Sequence, residues 1–433
     1  MHRHFVLLAA MAFAAFPVFS HSQTTPLPPP STVQPRTVES SEPLSLATAV
    51  TLAWQNNPDL SAVARARDAA DASIRQAGAR PNPVLETTVE DLRQERRTTT
   101  VQISQPIELG GKRAARITAA ERARDQAAAS AMARRSELRA GVITAFFEVL
   151  AAQERVRMAQ DSVTLAQRAV HAAASRVAAG KVSPLEETKA KVAESGVQVE
   201  RLQAEGALRT ARQQLATLWG NPKPAFAHAV GQLDALPTPP SSLEIEQRMH
   251  GAPSLVQARL EVDRRSALTA LEQAKRVPDI AVTLGSKRSP DVGGNQWVVG
   301  VSIPLPIFDT NQGNLAEALS REEQARDELL STELRTAAEA AAALETLHAS
   351  RLEAETLQRD ALPGAESAYQ AATKGFELGK FSFLEALDAQ RTLLQVRTQT
   401  LRALAAAHRA ASDLDRLLGY AGDDLPSPIS FAR

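Results

Sequence analysis

The chain is 433 residues long, carries 49 basic and 49 acidic residues, and contains no cysteine. Zero net charge leaves no basic excess to neutralise phosphate, so a nucleic-acid partner is not expected, and the missing cysteines exclude disulfides and thiol-based lipid attachment. Aromatics make up only 4% of the residues; that is too few for one large globular core, whereas abundant Ala with Leu, Glu, Gln and Arg suits long helices packed closely through small side chains.

From the N-terminus, His2–His4 followed by the apolar run Phe5–Phe19 reads as a cleavable secretory signal, residues 1–22, cut after Ser20 or Ser22. About fifteen apolar residues are too few to span a bilayer. Residues 23–43, rich in Pro, Ser and Thr, form a flexible or extended lead-in. No later stretch of eighteen apolar residues occurs, so no transmembrane helix is expected. An exported chain of this kind is periplasmic, secreted, or crosses the outer membrane by strands.

Residues 44–220 form a first structural unit. A short helix over Ser45–Asn56 leads to a second helix capped by Asn57, with Pro58 in its first position, ending before Pro81 and Pro83. The period then falls to two: Leu85, Thr87 and Val89 alternate with Glu86, Thr88 and Glu90, and Val101 and Ile103 with Gln102 and Ser104. This predicts strands at about 84–92 and 99–106, joined by the polar stretch Arg93–Thr98. Next comes a helical run over Gly111–Ala179, roughly 100 Å long at 1.5 Å per residue. It turns at 180–184 and returns over Pro184–Trp219.

After a linker, 221–240, a second unit over 241–420 repeats this order, with a tail at 421–433. Helices are predicted at Ser241–His250 and from Pro253 to before Pro278, and strands at about 279–286 and 296–304. The strand rows are Ile280, Val282, Leu284 and Trp297, Val299, Val301, Ile303. A second long run, Gly313–Leu378, turns at 379–383 and returns over Phe383–Leu418. Pro106 and Pro304 should close the strand pairs, and Pro363-Gly364, which has no proline counterpart in the first half, should kink the second run. Gly180 and Gly379 share an offset of 199 with the ends Leu218–Gly220 and Leu417–Gly419, so the mature chain reads as a duplication. Four strands cannot close a membrane barrel, for which about eight is the minimum. An open sheet in lipid leaves backbone groups unpaired at several kcal/mol each. The strands are therefore soluble or shared among several chains; three chains would supply about twelve.

Catalytic chemistry is hard to find. Gly111-Lys112, Gly180-Lys181 and Gly379-Lys380 invite a phosphate-loop reading, but the position that needs the earlier glycine holds Pro106, Ser175 or Lys374. No zinc-protease, paired-cysteine or nucleophile-elbow motif occurs. His171, His348 and His408 are isolated helix residues, read as packed or solvated, and Met132, Met158 and Met249 as filling. No cofactor, metal site or catalytic residue is expected. Glu385 and Asp388 lie three apart on one helical face just after a turn. They are either a solvated acidic helix start, favoured by the helix dipole, or, around a three-fold axis, a ring of six carboxylates that favours cations. Their first-half counterparts are Glu186 and Lys189, so only the second turn keeps both acids.

The stretch "NNPDL" at Asn56–Leu60, the two Gly-Lys turns and the duplicated helix–hairpin–helix order resemble the TolC family of outer-membrane efflux ducts, from about Leu44 to Gly419. "ISQPIELGGKRAAR" (Ile103–Arg116) and "VSIPLPIFDTNQGNLAEA" (Val301–Ala318) resemble its CzcC-like heavy-metal branch. The resemblance implies a mainly α fold with a β-barrel portion: a homotrimer with a twelve-stranded barrel in outer-membrane lipid, continued by a periplasmic α-helical barrel. It implies docking of a periplasmic adaptor at the tips Gly180, Lys181, Val182, Ser183 and Gly379, Lys380, Phe381, Ser382. The adaptor would link the duct to an inner-membrane pump of the resistance–nodulation–division (RND) type. It also places Glu385 and Asp388 at the periplasmic mouth. A family arginine near this turn falls at Phe381, so the family's polar latch is not carried over. The reading is a passive exit duct, with divalent cations of the cobalt, zinc and cadmium class as the expected cargo; the alternatives are a duct for drugs or secreted proteins, a periplasmic adaptor, or a helical-repeat hydrolase.

Overall fold

The computed structural model describes residues 39–419 apart from 92, 94, 95, 291 and 292. The expected signal segment, the tail 421–433 and residues 23–38 of the lead-in lie outside the described residues. The described chain begins at an anchor. The Glu39 carboxylate accepts hydrogen bonds from Trp219 Nε1 (3.0 Å), Asn221 Nδ2 (2.5 Å) and the backbone N–H groups of Ala225 (2.7 Å) and Phe226 (2.9 Å).

Strand β1 (Leu44–Ser45) pairs in parallel with β4 (Ala229–Val230), tying the linker to the start of the first half. Ser45 caps α1 (Leu46–Asn56) by accepting from Thr48 N–H. Asn57 caps α2 (Pro58–Ala77) through Leu60 N–H, with Pro58 in the first turn, and its amide also donates to the Leu218 carbonyl at 2.8 Å. One Asn thus starts a helix and fastens it to the far end of the same half. Strands β2 (Val84–Glu90) and β3 (Thr98–Ile107) follow, then α3 (Lys112–Ala178) and α4 (Pro184–Thr217). The second half runs through α5 (Ser242–Met249), α6 (Pro253–Ala274), β5 (Ile280–Ser289), β6 (Gly294–Ser302), α7 (Gln312–Thr356), α8 (Leu362–Glu377) and α9 (Phe383–Leu418).

Two proline expectations need correction. Pro106 does not close the first strand pair: β3 runs through it to Ile107, with Pro106 opposite Ala281 of β5. The last β3 residue paired with β2 is Ser104, opposite Val84, so beyond it no ladder on that side needs the missing N–H. The interruption expected at Pro363-Gly364 takes the form of a π turn upstream, Leu357–Ala361, where the Leu362 N–H reaches back to the Leu357 carbonyl. Proline has no N–H and its ring crowds the carbonyl four residues earlier; widening the preceding turn relieves that clash.

The elements form tiers that share one direction. The antiparallel sheet has the order β2-β3-β5-β6. Next to it α2 packs on α3, α3 on α6, and α6 on α7; further along, α4 packs on α3, α3 on α9, and α9 on α7 and α8. First-half elements therefore occupy one margin of each tier and second-half elements the other. Small residues make these contacts possible: Ala49, Ala53, Ala151, Ala354 and Ala407 have no exposed surface. The main core gathers Val50, Val142, Phe146, Val149, Leu215, Trp219 and Phe226 where α1, α3, α4 and the linker meet. Burying a side chain such as Phe146 or Leu215 contributes about 2 kcal/mol. A polar joint crosses from α3 to α6: Glu261 accepts from Gln126 Nε2 (2.7 Å), from both Arg264 nitrogens and from Arg265 Nε. His408 is 1% exposed. Its ring stacks on Phe147 at 3.6 Å, and its Nε2 lies 3.1 Å from the Leu233 carbonyl.

Candidate functional site

Both hairpin tips are built the same way. Gly180 has φ +67° and Gly379 φ +73°, a backbone region that a side chain would strain. In the first tip the N–H groups of Gly180 and Lys181 donate to the carbonyls of Val177 and Arg176, both at 2.9 Å. In the second, Gly379 and Lys380 donate to Phe376 (3.0 Å) and Gly375 (2.8 Å). These are paired Schellman bonds that stop a helix sharply. Two residues on, Ser183 and Ser382 turn extended and cap α4 and α9. Gly180, Lys181, Ser183, Gly379, Lys380, Phe381 and Ser382 are exposed, and Val182 is half-buried. Phe381 is 43% exposed and lays its ring over Gly375, where an added Cβ would lie 2.1 Å from it.

The residue that brings the tips together is one the sequence reading missed. Arg176 of α3 donates to the Phe376 carbonyl at 2.6 Å, and its guanidinium sits 4.5 Å above the Phe376 ring. Phe376 packs with Ala173 and Ala190. A first-half cation thus holds a second-half aromatic beside the candidate mouth, by a hydrogen bond and a cation–π contact.

Glu385 and Asp388 lie exposed at the start of α9. Glu385 completes a capping box: its Oε2 accepts from Ser382 N–H at 2.6 Å while its own N–H donates to Ser382 Oγ. The Ser382 backbone N–H, then its hydroxyl, hold the Glu385 carboxyl below its ordinary pKa, so it stays charged. The cap also fixes where that charge points.

The sheet supplies the second part of the site. Its ladders align Leu85, Ile103, Leu284 and Val299 in one row across all four strands, and all four are exposed. On the opposite face the adjacent row is Glu86, Gln102, Gly285 and Val298. There Gln102 Nε2 donates to Glu86 at 2.8 Å, and a Cβ on Gly285 would fall 2.7 Å from that of Gln102. One sheet face is apolar and open; the other is largely polar. Where the sheet meets the helices, Lys112 Nζ bonds Asp279 at 2.7 Å, Arg116 pairs with Glu108, and Arg113 Nε donates to the Gly78 carbonyl at 2.6 Å. Lys112 of the failed phosphate-loop reading is therefore an ion-pair residue joining the two halves.

Among the described residues no helix is long and apolar enough to cross a membrane, and no group of three or more His, Cys, Asp or Glu is placed to hold a metal ion.

The model of the family "Outer membrane efflux protein" matches residues 49–221 and again 245–420. The chain is 46% identical over 381 residues to the cobalt-zinc-cadmium resistance protein CzcC of Cupriavidus metallidurans, covering 88% of this chain and 91% of that one. The nickel and cobalt resistance protein CnrC of the same organism is 29% identical, over 61% of this chain and 64% of its own. Among solved structures, CusC superposes with a TM-score of 0.73 at 21% identity, covering 89% of this chain and 93% of that one. The open-state MtrE outer membrane channel of Neisseria gonorrhoeae gives 0.72 at 19% identity, over 89% and 94%.

Proposed function

The chain belongs to the outer membrane efflux protein family, and from that premise we propose that three copies form a passive outer-membrane exit duct for divalent heavy-metal cations. The observation that carries this reading is the exposed apolar row Leu85–Ile103–Leu284–Val299, on a sheet whose margins β2 and β6 have no further partner among the described residues. Lipid accepts such a sheet only when its backbone edges are closed. Further copies joined β2 to β6 would close it, with the largely polar face turned to a wet interior. The helices support the same joining. Leu185, Val192 and Val199 recur at seven-residue spacing on α4 and stay exposed, and Leu330, Leu334 and Leu352 of α7, four and eighteen residues apart, are exposed as well. Such stripes are the seams of coiled coils awaiting a partner helix.

Cargo enters from the 46%-identical relative, which is named for cobalt, zinc and cadmium resistance. The tips Gly180–Ser183 and Gly379–Ser382 meet a periplasmic adaptor that couples the duct to an inner-membrane RND pump. Glu385 and Asp388, repeated three times, ring the periplasmic mouth and favour cations over anions. The chain itself acts as a conduit and carries out no reaction.

The test is reconstitution. Protein extracted in detergent should run as a trimer by native mass spectrometry and conduct in planar bilayers. In a host lacking its own duct but supplied with a cognate adaptor and pump, it should restore growth on cobalt, zinc or cadmium. A soluble monomer would end the reading of a shared barrel. A conducting trimer that restores no metal resistance would end the reading of the cargo.

A further inference from the structure

The two halves enter their long helices through a left-handed residue, Gly111 (φ +74°) before α3 and Asn311 (φ +59°) before α7. Aligned on these residues, the turns differ sharply. Three positions ahead stand Glu108 in the first half and Phe308 in the second. Five positions after stand Arg116 and Ala316. Glu108 is ion-paired to Arg116, and Arg116 also donates to the Ala77 and Ala79 carbonyls, both at 3.2 Å. The second half has lost both members of that pair. In their place is a phenyl ring that is 93% exposed, flanked by Leu305 at 75% and Ile307 at 71%.

This turn is rigid and aimed. Pro304 and Pro306 fix two φ angles, and the Ile307 N–H closes onto the Leu305 carbonyl at 2.9 Å. Beyond it, the Asn311 amide holds the Glu272 carbonyl and carboxylate at 2.8 and 2.9 Å. The turn begins at the end of β6, whose Trp297, Val299 and Val301 are exposed, and the exposed Ile303 extends the same alternation into it. The apolar surface therefore runs from the outward sheet face into the turn without a polar break.

We propose that the Leu305–Phe308 turn is a lipid anchor, seating its three apolar side chains in the periplasmic leaflet of the outer membrane. Each copy then grips the membrane border through its second half, while the first half closes the same position with a salt bridge. Continuity with the apolar sheet face selects lipid as the occupant, because an amphipathic border segment partitions by the apolar area it inserts. The inference rests on the outer-membrane reading above.

The chain has no cysteine, so one introduced thiol is unique and can carry a nitroxide. Phe308→Cys and Leu305→Cys serve as reporters, Val299→Cys on β6 as the membrane control, and Lys181→Cys at the tip as the water control. The full-length protein is reconstituted in phospholipid nanodiscs, and spin-label relaxation is read with oxygen, which concentrates in lipid, and with a water-soluble nickel chelate. At 308 and 305 oxygen should dominate, as at 299, with the chelate effect seen at 181 lost. Chelate access at 308 and 305 would overturn the anchor, and so would shielding from both reagents, which would assign the turn to a neighbouring copy. If position 299 is itself open to the chelate and closed to oxygen, the membrane reading fails and the anchor with it.

Discussion

Replacing Glu261 by Gln tests whether the joint between α3 and α6 is electrostatic. Hydrogen bonds from Arg264 lower the carboxyl's pKa, burial opposes them, and further bonds from Arg265 bring it to about 2 from an ordinary 4.5. Each unit corresponds to about 1.4 kcal/mol, so the shift is worth about 3 kcal/mol at most. The side chain is 19% exposed; screening by the water that reaches it reduces this to about 2 kcal/mol. A carboxyl whose folded pKa is depressed stabilises fully above the unfolded pKa and loses that contribution as pH falls toward the folded one. The window is therefore pH 4.5 down to about 2. Glu261→Gln keeps the shape and an acceptor but removes the charge. Denaturant unfolding of the detergent-solubilised protein, followed by helical circular dichroism, should show the variant weaker by about 2 kcal/mol at neutral pH. At about pH 3 the gap between variant and parent should shrink by roughly half or more. A gap of the same size at both pH values would refute the electrostatic account and leave packing as the cause.

His408 gives a second pH signature. Burial lowers its pKa to about 4 from 6.5, although the Leu233 carbonyl opposes this. The folded state stays neutral while the unfolded state takes up a proton, so stability falls as pH drops from 6.5 toward 4. His408→Phe keeps a ring against Phe147 and should flatten that slope in melts at pH 7 and 5; an unchanged slope would assign it to other groups. Arg176→Ala removes both the bond and the stacking to Phe376, so resting current through planar bilayers should rise; unchanged current would mean the tips are held elsewhere. Glu385→Gln with Asp388→Asn should move the reversal potential under a salt gradient toward anions, and a fixed potential would remove the acidic ring from selectivity. Glu39→Ala leaves four donors without their carboxylate, at a cost of about 1–3 kcal/mol, and should expose the segment before α1 to limited proteolysis; parental resistance would count against the anchor.

What could be read in advance depended on range. The Asn57 cap, the tip glycines and the strand alternation are local, set by one residue and its next three or four neighbours, and they were legible. The apolar row was visible in pieces, but its register across β2, β3, β5 and β6 was not, because nothing local says that Leu85 lies level with Val299. Pro106 misled because proline is excluded from a ladder only where a partner needs its N–H, and the partner's length is non-local information. Arg176 was passed over for a similar reason. It donates to a backbone carbonyl, which every residue offers, two hundred positions away. Lys112 was weighed for phosphate, and only the folded chain brings Asp279 to it.

The shared direction of the tiers has a genetic consequence. If every copy offers its first-half margin to the second-half margin of the next, one defective margin breaks one seam in every ring that includes that copy. With equal expression of defective and normal chains and random mixing, only about one ring of three in eight is free of the defect. A margin variant such as a charged residue at Val192 should therefore suppress the normal allele, whereas a variant that blocks export should be recessive.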